Sequence, residues 1–248
     1  MFFSLGLRAR RAKLFYLISL IPIIIAALVK LSLLASGRNI SGIYIFSNII
    51  MAFYLQFLIL ILALFFGTSI CSEELEGKTL TYLTTRPVEK SAVLLGKFAA
   101  YYLMTVLMTL VGVITAFFVL NIEKLGDFSL YRILFKDMAV LCLGLLCYMS
   151  FFTLIGTFLK KSIMFGLIFS FGWENVIQYF PGSTQKFAIA HYLKSLLPAP
   201  VSGRFSFLLF RLEPTPPAAA VLILLLLTAV FLALACFIFS AKEYILQD

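Results

Sequence analysis

The stretch Cys71–Lys97, CSEELEGKTLTYLTTRPVEKSAVLLGK, is the long polar segment in the first half of a chain that is otherwise largely apolar. Its charged residues are Glu73, Glu74, Glu76, Lys78, Arg86, Glu89, Lys90 and Lys97. Apolar runs long enough to cross a bilayer precede and follow it. Such a segment, held between two membrane helices, favours a docking element; the alternative is a solvated loop that lies on lipid headgroups.

The composition predicts an integral membrane protein. Of 248 residues, 62% are hydrophobic and only 12% are charged, whereas soluble domains are about half apolar and about a quarter charged. A soluble core would not hide this much apolar surface. The formal charge of +9 is typical of the Lys and Arg excess that membrane proteins keep beside their cytoplasmic faces, and no motif for nucleic-acid binding accompanies it.

Six apolar runs predict an all-α, polytopic membrane protein with six transmembrane helices in one domain, residues 1–248. The predicted spans are about 14–35, 43–70, 93–120, 135–159, 163–180 and 218–240. The basic and aromatic residues 1–13 predict an N-terminal interfacial helix; the alternative is the basic region of a signal peptide. Residues 71–92 form the polar segment described above, and residues 181–217 are predicted as an external segment.

The charge distribution predicts the orientation. Six spans place both termini on one side, and the cluster of Arg8, Arg10, Arg11 and Lys13 indicates that this side is cytoplasmic. The tight turn at Lys160–Lys161 falls on the same side. The polar segment 71–92 is therefore also predicted to be cytoplasmic.

The polar segment contains the signals of a short crosswise helix. Gly77 ends or bends the helix that leaves the membrane, and Thr79 can cap a new one. Leu80 and Leu83 then lie on one face, three residues apart. Pro87 ends this helix, because a residue before proline is disfavoured in helical geometry.

These residues resemble a motif of the permease subunits of ABC transporters of the type-2 exporter class. The matching positions are Glu73-Glu74-Leu75-Glu76-Gly77-Lys78-Thr79-Leu80, Leu83, Pro87 and Leu94-Leu95-Gly96-Lys97. The place of the motif between the second and third of six spans fits that family as well. The chain departs from many relatives at Thr81-Tyr82, where those relatives have a glutamate.

The resemblance implies a role for the polar segment. In that family the short helix is a coupling helix that seats in a separate ATPase subunit, and two permease copies assemble with two ATPase copies in the cytoplasmic (inner) membrane. The residues expected to contact the ATPase are Glu73, Glu74, Glu76, Gly77, Thr79, Leu80, Tyr82, Leu83, Arg86 and Pro87. ATP and Mg would bind to the ATPase, and no cofactor is expected on this chain, which has no phosphate-binding loop of its own.

A second set of candidates consists of polar residues inside the predicted spans. Ser170, Glu174 and Gln178 are spaced four residues apart, and Glu174 falls near the middle of the fifth span. They are candidates for a translocation path, as are Asn48 and Gln56. The alternatives are that Glu174 pairs with a local polar group or lies at the outer interface, and that Asn48 and Gln56 bond across helices.

The external segment contains a second amphipathic pattern. Apolar residues recur at helical spacing in Ile189, Tyr192, Leu193, Leu196 and Leu197, which predicts a short interfacial helix before the sixth span. Arg204–Pro214 is a candidate for a second short interfacial helix. His191, the single histidine of the chain, is predicted to be an interfacial polar residue.

Three functions remain open from the sequence. The first is a permease that is not itself an enzyme and that depends on a partner ATPase, with export as the expected direction. The second is a membrane scaffold or channel without ATP coupling. The third is an intramembrane enzyme, because Glu73-Glu74 faintly resembles the paired glutamates of membrane prenyl-protein proteases. Metal chemistry of that kind would need histidines on other spans, which argues against it.

Overall fold

A computed structural model describes residues 10–35, 42–47, 51–76, 90–122, 126–159, 161–177, 183–197 and 215–241. All regular elements within these ranges are helices, so the predicted all-α fold is confirmed. The long helices are α1 (Arg10–Ala35), α2 (Met51–Phe53, Tyr54–Leu58 and Ile59–Glu76), α3 (Lys90–Asn121) and α4 (Phe128–Phe158). They are followed by α5 (Ser162–Leu167 and Ile168–Glu174), α6 (Ile189–Leu196) and α7 (Pro217–Ala241).

Four of these helices are long and apolar enough to cross a bilayer. They are Met51–Ile70 of α2, together with Lys90–Asn121, Phe128–Phe158 and Pro217–Ala241. The first and fifth predicted spans correspond to shorter apolar helical stretches, Ile21–Ser32 and Ser162–Glu174. The count of six membrane helices therefore stays a prediction.

Several helix ends differ from the sequence-based boundaries. Arg10–Lys13, predicted to belong to a separate interfacial helix, form the first turn of α1, and residues 1–9 lie outside the described residues. Helix α4 begins at Phe128, seven residues before the predicted start of the fourth span at 135. Much of the polar connection between the third and fourth predicted spans is therefore helical. Here the membrane helices continue through polar residues because the backbone hydrogen bonds of a helix are satisfied within it.

Helix α4 lies at the centre of the bundle. It packs against α2, α3, α6 and α7, while α1 packs on α3. Helices α2 and α4 approach each other closely at Gly67, where an added Cβ would lie 2.9 Å from Cβ of Phe152 and 3.0 Å from the carbonyl oxygen of Met149. Small residues at such crossings let membrane helices pack backbone to backbone.

Several buried threonine hydroxyl groups in this core bond within their own helices. Thr68, Thr109 and Thr153 each donate to the carbonyl four residues earlier, at 2.7 to 2.8 Å. This arrangement satisfies a polar side chain in apolar surroundings without a partner on another helix. Large apolar side chains cover the outside of the bundle instead; on α1, Ile21, Ile24, Leu28 and Leu31 form one exposed face.

Two helices contain wide turns. The backbone is in π-helical geometry at Tyr54–Leu58 in α2 and at Ile168–Glu174 in α5. The two stretches are neighbours, because the rings of Phe57 and Phe171 lie 6.4 Å apart. Such π-helical turns occur frequently at functional sites.

The segment before α7 does not lie at the surface as predicted. A 3₁₀ turn (Ser183–Phe187) leads into α6, and Ala188, Ile189, Ala190 and Leu193 are all buried. Leu193 fits against Gly144 of α4, where an added Cβ would lie 3.0 Å from its Cδ1 atom. The apolar face of α6 is therefore covered by the other helices, which corrects the prediction of an interfacial helix for this part of 181–217.

Candidate functional site

The polar centre of the bundle is formed around Glu174, at the end of the wide turn of α5. Its side chain is fully buried. The hydroxyl of Tyr148, on α4, donates to Oε1 of Glu174 at 2.6 Å. The backbone N–H of Ala190, in the first turn of α6, donates to the same oxygen at 2.6 Å.

Glu174 takes the place of a helix cap for α6. The residue before this helix, Ala188, has an extended backbone (φ −93°, ψ 136°) and offers no side-chain cap of its own. Backbone N–H groups of a first helical turn need an acceptor from outside the helix. The carboxylate of Glu174 supplies one from another element, and the partial positive charge of the helix N-terminus favours an acidic group there.

The depth of this contact places it far inside the bundle. Glu174 lies twelve residues after Ser162, the start of α5, which corresponds to about 18 Å along a helix. Tyr148 lies ten residues before Phe158, the end of α4, or about 15 Å from it. A hydrocarbon core is about 30 Å thick, so both lengths agree with a position of Glu174 near mid-membrane depth, which stays a prediction.

A second set of contacts ties α6 to the start of α7. Nε2 of His191 lies 3.0 Å from the hydroxyl of Thr215, and the N–H of Thr215 donates to Oγ of Ser195 at 3.3 Å. His191 is only 1% exposed, so the prediction of an interfacial histidine was wrong.

Lys194 adds a positive charge to this region. Burial lowers the pKa of the Lys194 ammonium to about 8, and the attraction of the nearby Glu174 carboxylate opposes that shift in part. A lysine that loses its proton at a lower pH than usual marks the C-terminal half of α6 as a poorly solvated environment.

Among the other path candidates, Gln56 has a clear partner. Its Nε2 donates to Oδ1 of Asn175 at 3.3 Å, and Nδ2 of Asn175 donates to the carbonyl oxygen of Ser170 at 2.9 Å. The alternative that Gln56 bonds across helices is thus confirmed. The hydroxyl of Ser170 is buried and has no hydrogen-bond partner among the described residues. Asn48 and Gln178 lie outside them.

The residues predicted to contact an ATPase lie mostly outside the described part of the chain. Helix α2 continues to Glu76, so the backbone at Glu73, Glu74 and Glu76 extends the membrane helix as predicted. The residues outside the described ranges are Gly77, Thr79, Leu80, Tyr82, Leu83, Arg86 and Pro87. Their assignment to a coupling helix stays a prediction.

Sequence reasoning missed Asp137 on α4. This aspartate is 1% exposed, and neither carboxylate oxygen has a hydrogen-bond partner among the described residues. The signal that could have identified Asp137 is an acidic residue inside an apolar run. It was missed because the predicted fourth span begins at Phe135 and Lys136 precedes Asp137, so that Asp137 looked like part of the polar end of the span.

The site offers polar contacts rather than metal ligands. Within the described ranges, no three His, Cys, Asp or Glu side chains lie together in a way that could hold a metal ion. What the arrangement can do is hold one helix in place: an acidic group, a tyrosine hydroxyl and a helix N-terminus meet at one oxygen atom.

Comparison with protein-family models identifies a family for this chain. The family model described as "ABC-2 family transporter protein" matches residues 8–244, almost the whole chain. No curated protein matches the sequence.

Proposed function

Because the chain belongs to the ABC-2 family of transporter proteins, we propose that it is a permease subunit driven by a separate ATPase subunit. The family match over residues 8–244 is the observation that carries this proposal. The chain itself supplies the membrane path, and the ATPase supplies ATP hydrolysis with its own bound ATP and Mg. Export is the direction that the resemblance implies.

The proposed architecture has six membrane helices, with α1 and α5 completing the four that are long and apolar enough to span. Both termini and the polar segment 71–92 then lie in the cytoplasm, and the membrane is the cytoplasmic membrane. The extension of α2 to Glu76 and the start of α3 at Lys90 support a coupling element between them. A second permease copy, identical or related, completes the transporter.

The proposed coupling runs through long rigid helices. Closure of the ATPase would move the coupling segment, and α2 would carry that movement from Glu76 towards Gln56. There the bond from Gln56 to Asn175 joins α2 to α5, directly beside Glu174. Helices transmit displacement because their backbone hydrogen bonds keep each turn fixed to the next.

Copurification tests the proposal. The tagged full chain is purified from its native membrane in mild detergent, and the retained proteins are identified by mass spectrometry. We expect an ATPase subunit with the unaltered chain and its loss from the double variant Leu80→Asp with Leu83→Asp, since two charges on the apolar face would have to be desolvated in the contact.

A matched control carries the same added charge on another face of the predicted helix. Thr81→Asp with Thr85→Asp should retain the ATPase, because these positions lie about 100° or more from Leu80 around a helix. Retention of the ATPase by the leucine variant would contradict the coupling assignment. Absence of any ATPase from the unaltered chain would favour the scaffold or channel alternative.

A further inference from the structure

The start of α6 is held by a contact that the family match does not explain. Among the described residues, the N–H of Ala190 and the hydroxyl of Tyr148 converge on one carboxylate oxygen of Glu174, each at 2.6 Å. These three groups belong to three different helices, α6, α4 and α5. Breaking the contact at Glu174 therefore removes the acceptor that the N–H of Ala190 and the hydroxyl of Tyr148 share.

Helix α6 depends on this contact more than a long helix would. It has only eight residues, and isolated helices shorter than about 12 residues are marginal in water. Its first turn has no capping side chain of its own. Two further polar contacts, from His191 and Ser195, lead to Thr215 and so fasten it to the start of α7.

Apolar packing supplies the other part of the attachment of α6. Leu193 is fully buried and lies against Gly144 of α4, and Ile189 and Leu196 are buried as well. The hydrogen bonds to Glu174 are the directional part of the attachment.

From this geometry we propose that Glu174 is a latch that holds the segment 183–197 inside the bundle. Release of the latch lets α6 withdraw while it stays fastened to α7 through Thr215. Glu174 acts as a positioning residue and need not touch the transported molecule.

Cysteine labelling tests the latch on the full chain alone. In a background with its four native cysteines replaced by alanine, Leu193→Cys reports on α6, and the chain is reconstituted in lipid nanodiscs with a water-soluble maleimide outside. Leu193 is fully buried, so slow labelling is expected. Glu174→Leu should raise the labelling rate by about tenfold or more, because local opening no longer breaks two buried hydrogen bonds.

Two control positions make the result specific. Asp127→Cys, at an exposed residue between α3 and α4, should label quickly whether or not Glu174 is present. Thr105→Cys, at a fully buried residue of α3, should stay protected in both backgrounds. Equal acceleration at Thr105→Cys would show that Glu174 holds the whole bundle together, and it would overturn the latch.

A milder variant covers the case in which Glu174→Leu does not fold. Tyr148→Phe removes one donor and leaves the bond to Ala190, so an intermediate labelling rate is expected at Leu193→Cys. An unchanged rate in every variant that folds would overturn the proposal. None of these measurements involves an ATPase, so the latch can fail while the proposed permease function stands.

Discussion

Glu174 and Asp137 are two buried carboxylates on neighbouring helices, and they differ in their hydrogen bonds to the described residues. Glu174 accepts two hydrogen bonds of 2.6 Å from groups on other helices. Asp137 is 1% exposed, and neither of its oxygens has a hydrogen-bond partner among the described residues. Because a buried polar group without a hydrogen bond costs more free energy than one with a partner, we expect Asp137 to lower the stability of the bundle more than Glu174 does.

The difference follows from what each carboxylate faces. Glu174 faces the start of α6, a short helix that needs an acceptor for its first backbone N–H groups. Asp137 lies in the interior of a long helix, α4, whose own backbone N–H groups are already bonded to carbonyl groups of the same helix. The end of a helix thus offers unbonded backbone N–H groups to a carboxylate, whereas the interior of a helix does not.

The largest expected effect is that of Glu174→Leu. It leaves the hydroxyl of Tyr148 and the N–H of Ala190 buried without their acceptor, and each such group costs about 1–3 kcal/mol. We expect the free energy of unfolding to fall by about 2–6 kcal/mol in total. Unfolding by SDS in mixed micelles, followed by circular dichroism, measures it, and a loss below about 1 kcal/mol would contradict the role given to this residue.

Tyr148→Phe should have a smaller effect of the same sign. The ring stays in its buried position, and only one hydrogen bond to a carboxylate oxygen is lost, which is worth about 1.5–3 kcal/mol. In the same unfolding assay, the double variant Tyr148→Phe with Glu174→Leu should be little less stable than Glu174→Leu alone. Full additivity of the two losses would show that the two side chains act independently.

Asp137→Asn should have the opposite sign. The amide has almost the same shape but no charge to desolvate, so we expect the free energy of unfolding to stay level or rise by about 1 kcal/mol. A loss as large as that of Glu174→Leu would reveal a partner for Asp137 in the part of the chain outside the described residues, and the contrast between the two carboxylates would then disappear.

Gln56→Leu should produce the smallest loss, about 0.5–1 kcal/mol. Its bond to Asn175 is long, at 3.3 Å, and it is only partly buried. A double-mutant cycle with Asn175→Leu isolates the coupling between the two side chains, and a coupling energy near zero would remove Gln56 from the connection between α2 and α5.

Sequence patterns predict the helical membrane class and most of the long helices because apolar length alone determines them. They also bring out Glu174, since a charge near the middle of an apolar run is conspicuous. They do not predict that α6 lies inside the bundle. An apolar face at helical spacing looks the same whether lipid or protein covers it, so the pattern places Leu193 and His191 at the interface.

The wide turns are also beyond sequence reasoning. The spacing of Ser170, Glu174 and Gln178 predicts one face of an α-helix, but Ile168–Glu174 is π-helical. In that geometry each backbone bond reaches one residue further. Leu167 and Asn175, on either side of the segment, have ordinary α-helical dihedral angles. The change of geometry is therefore confined to the segment, and its residue types do not announce it.

The wide turn of α5 lets this helix contain one more residue while Glu174 keeps its direction. A π-helical turn accommodates an additional residue relative to an α-helical turn. Deleting one residue between Ile168 and Gly172 would let the helix relax to ordinary geometry without shortening the bundle. The following residues would then keep their direction about the helix axis, because the lost residue is the one that the wide turn accommodates. Alignments that allow a gap at this place would therefore compare helices of equal height whose acidic side chains point to the same neighbours.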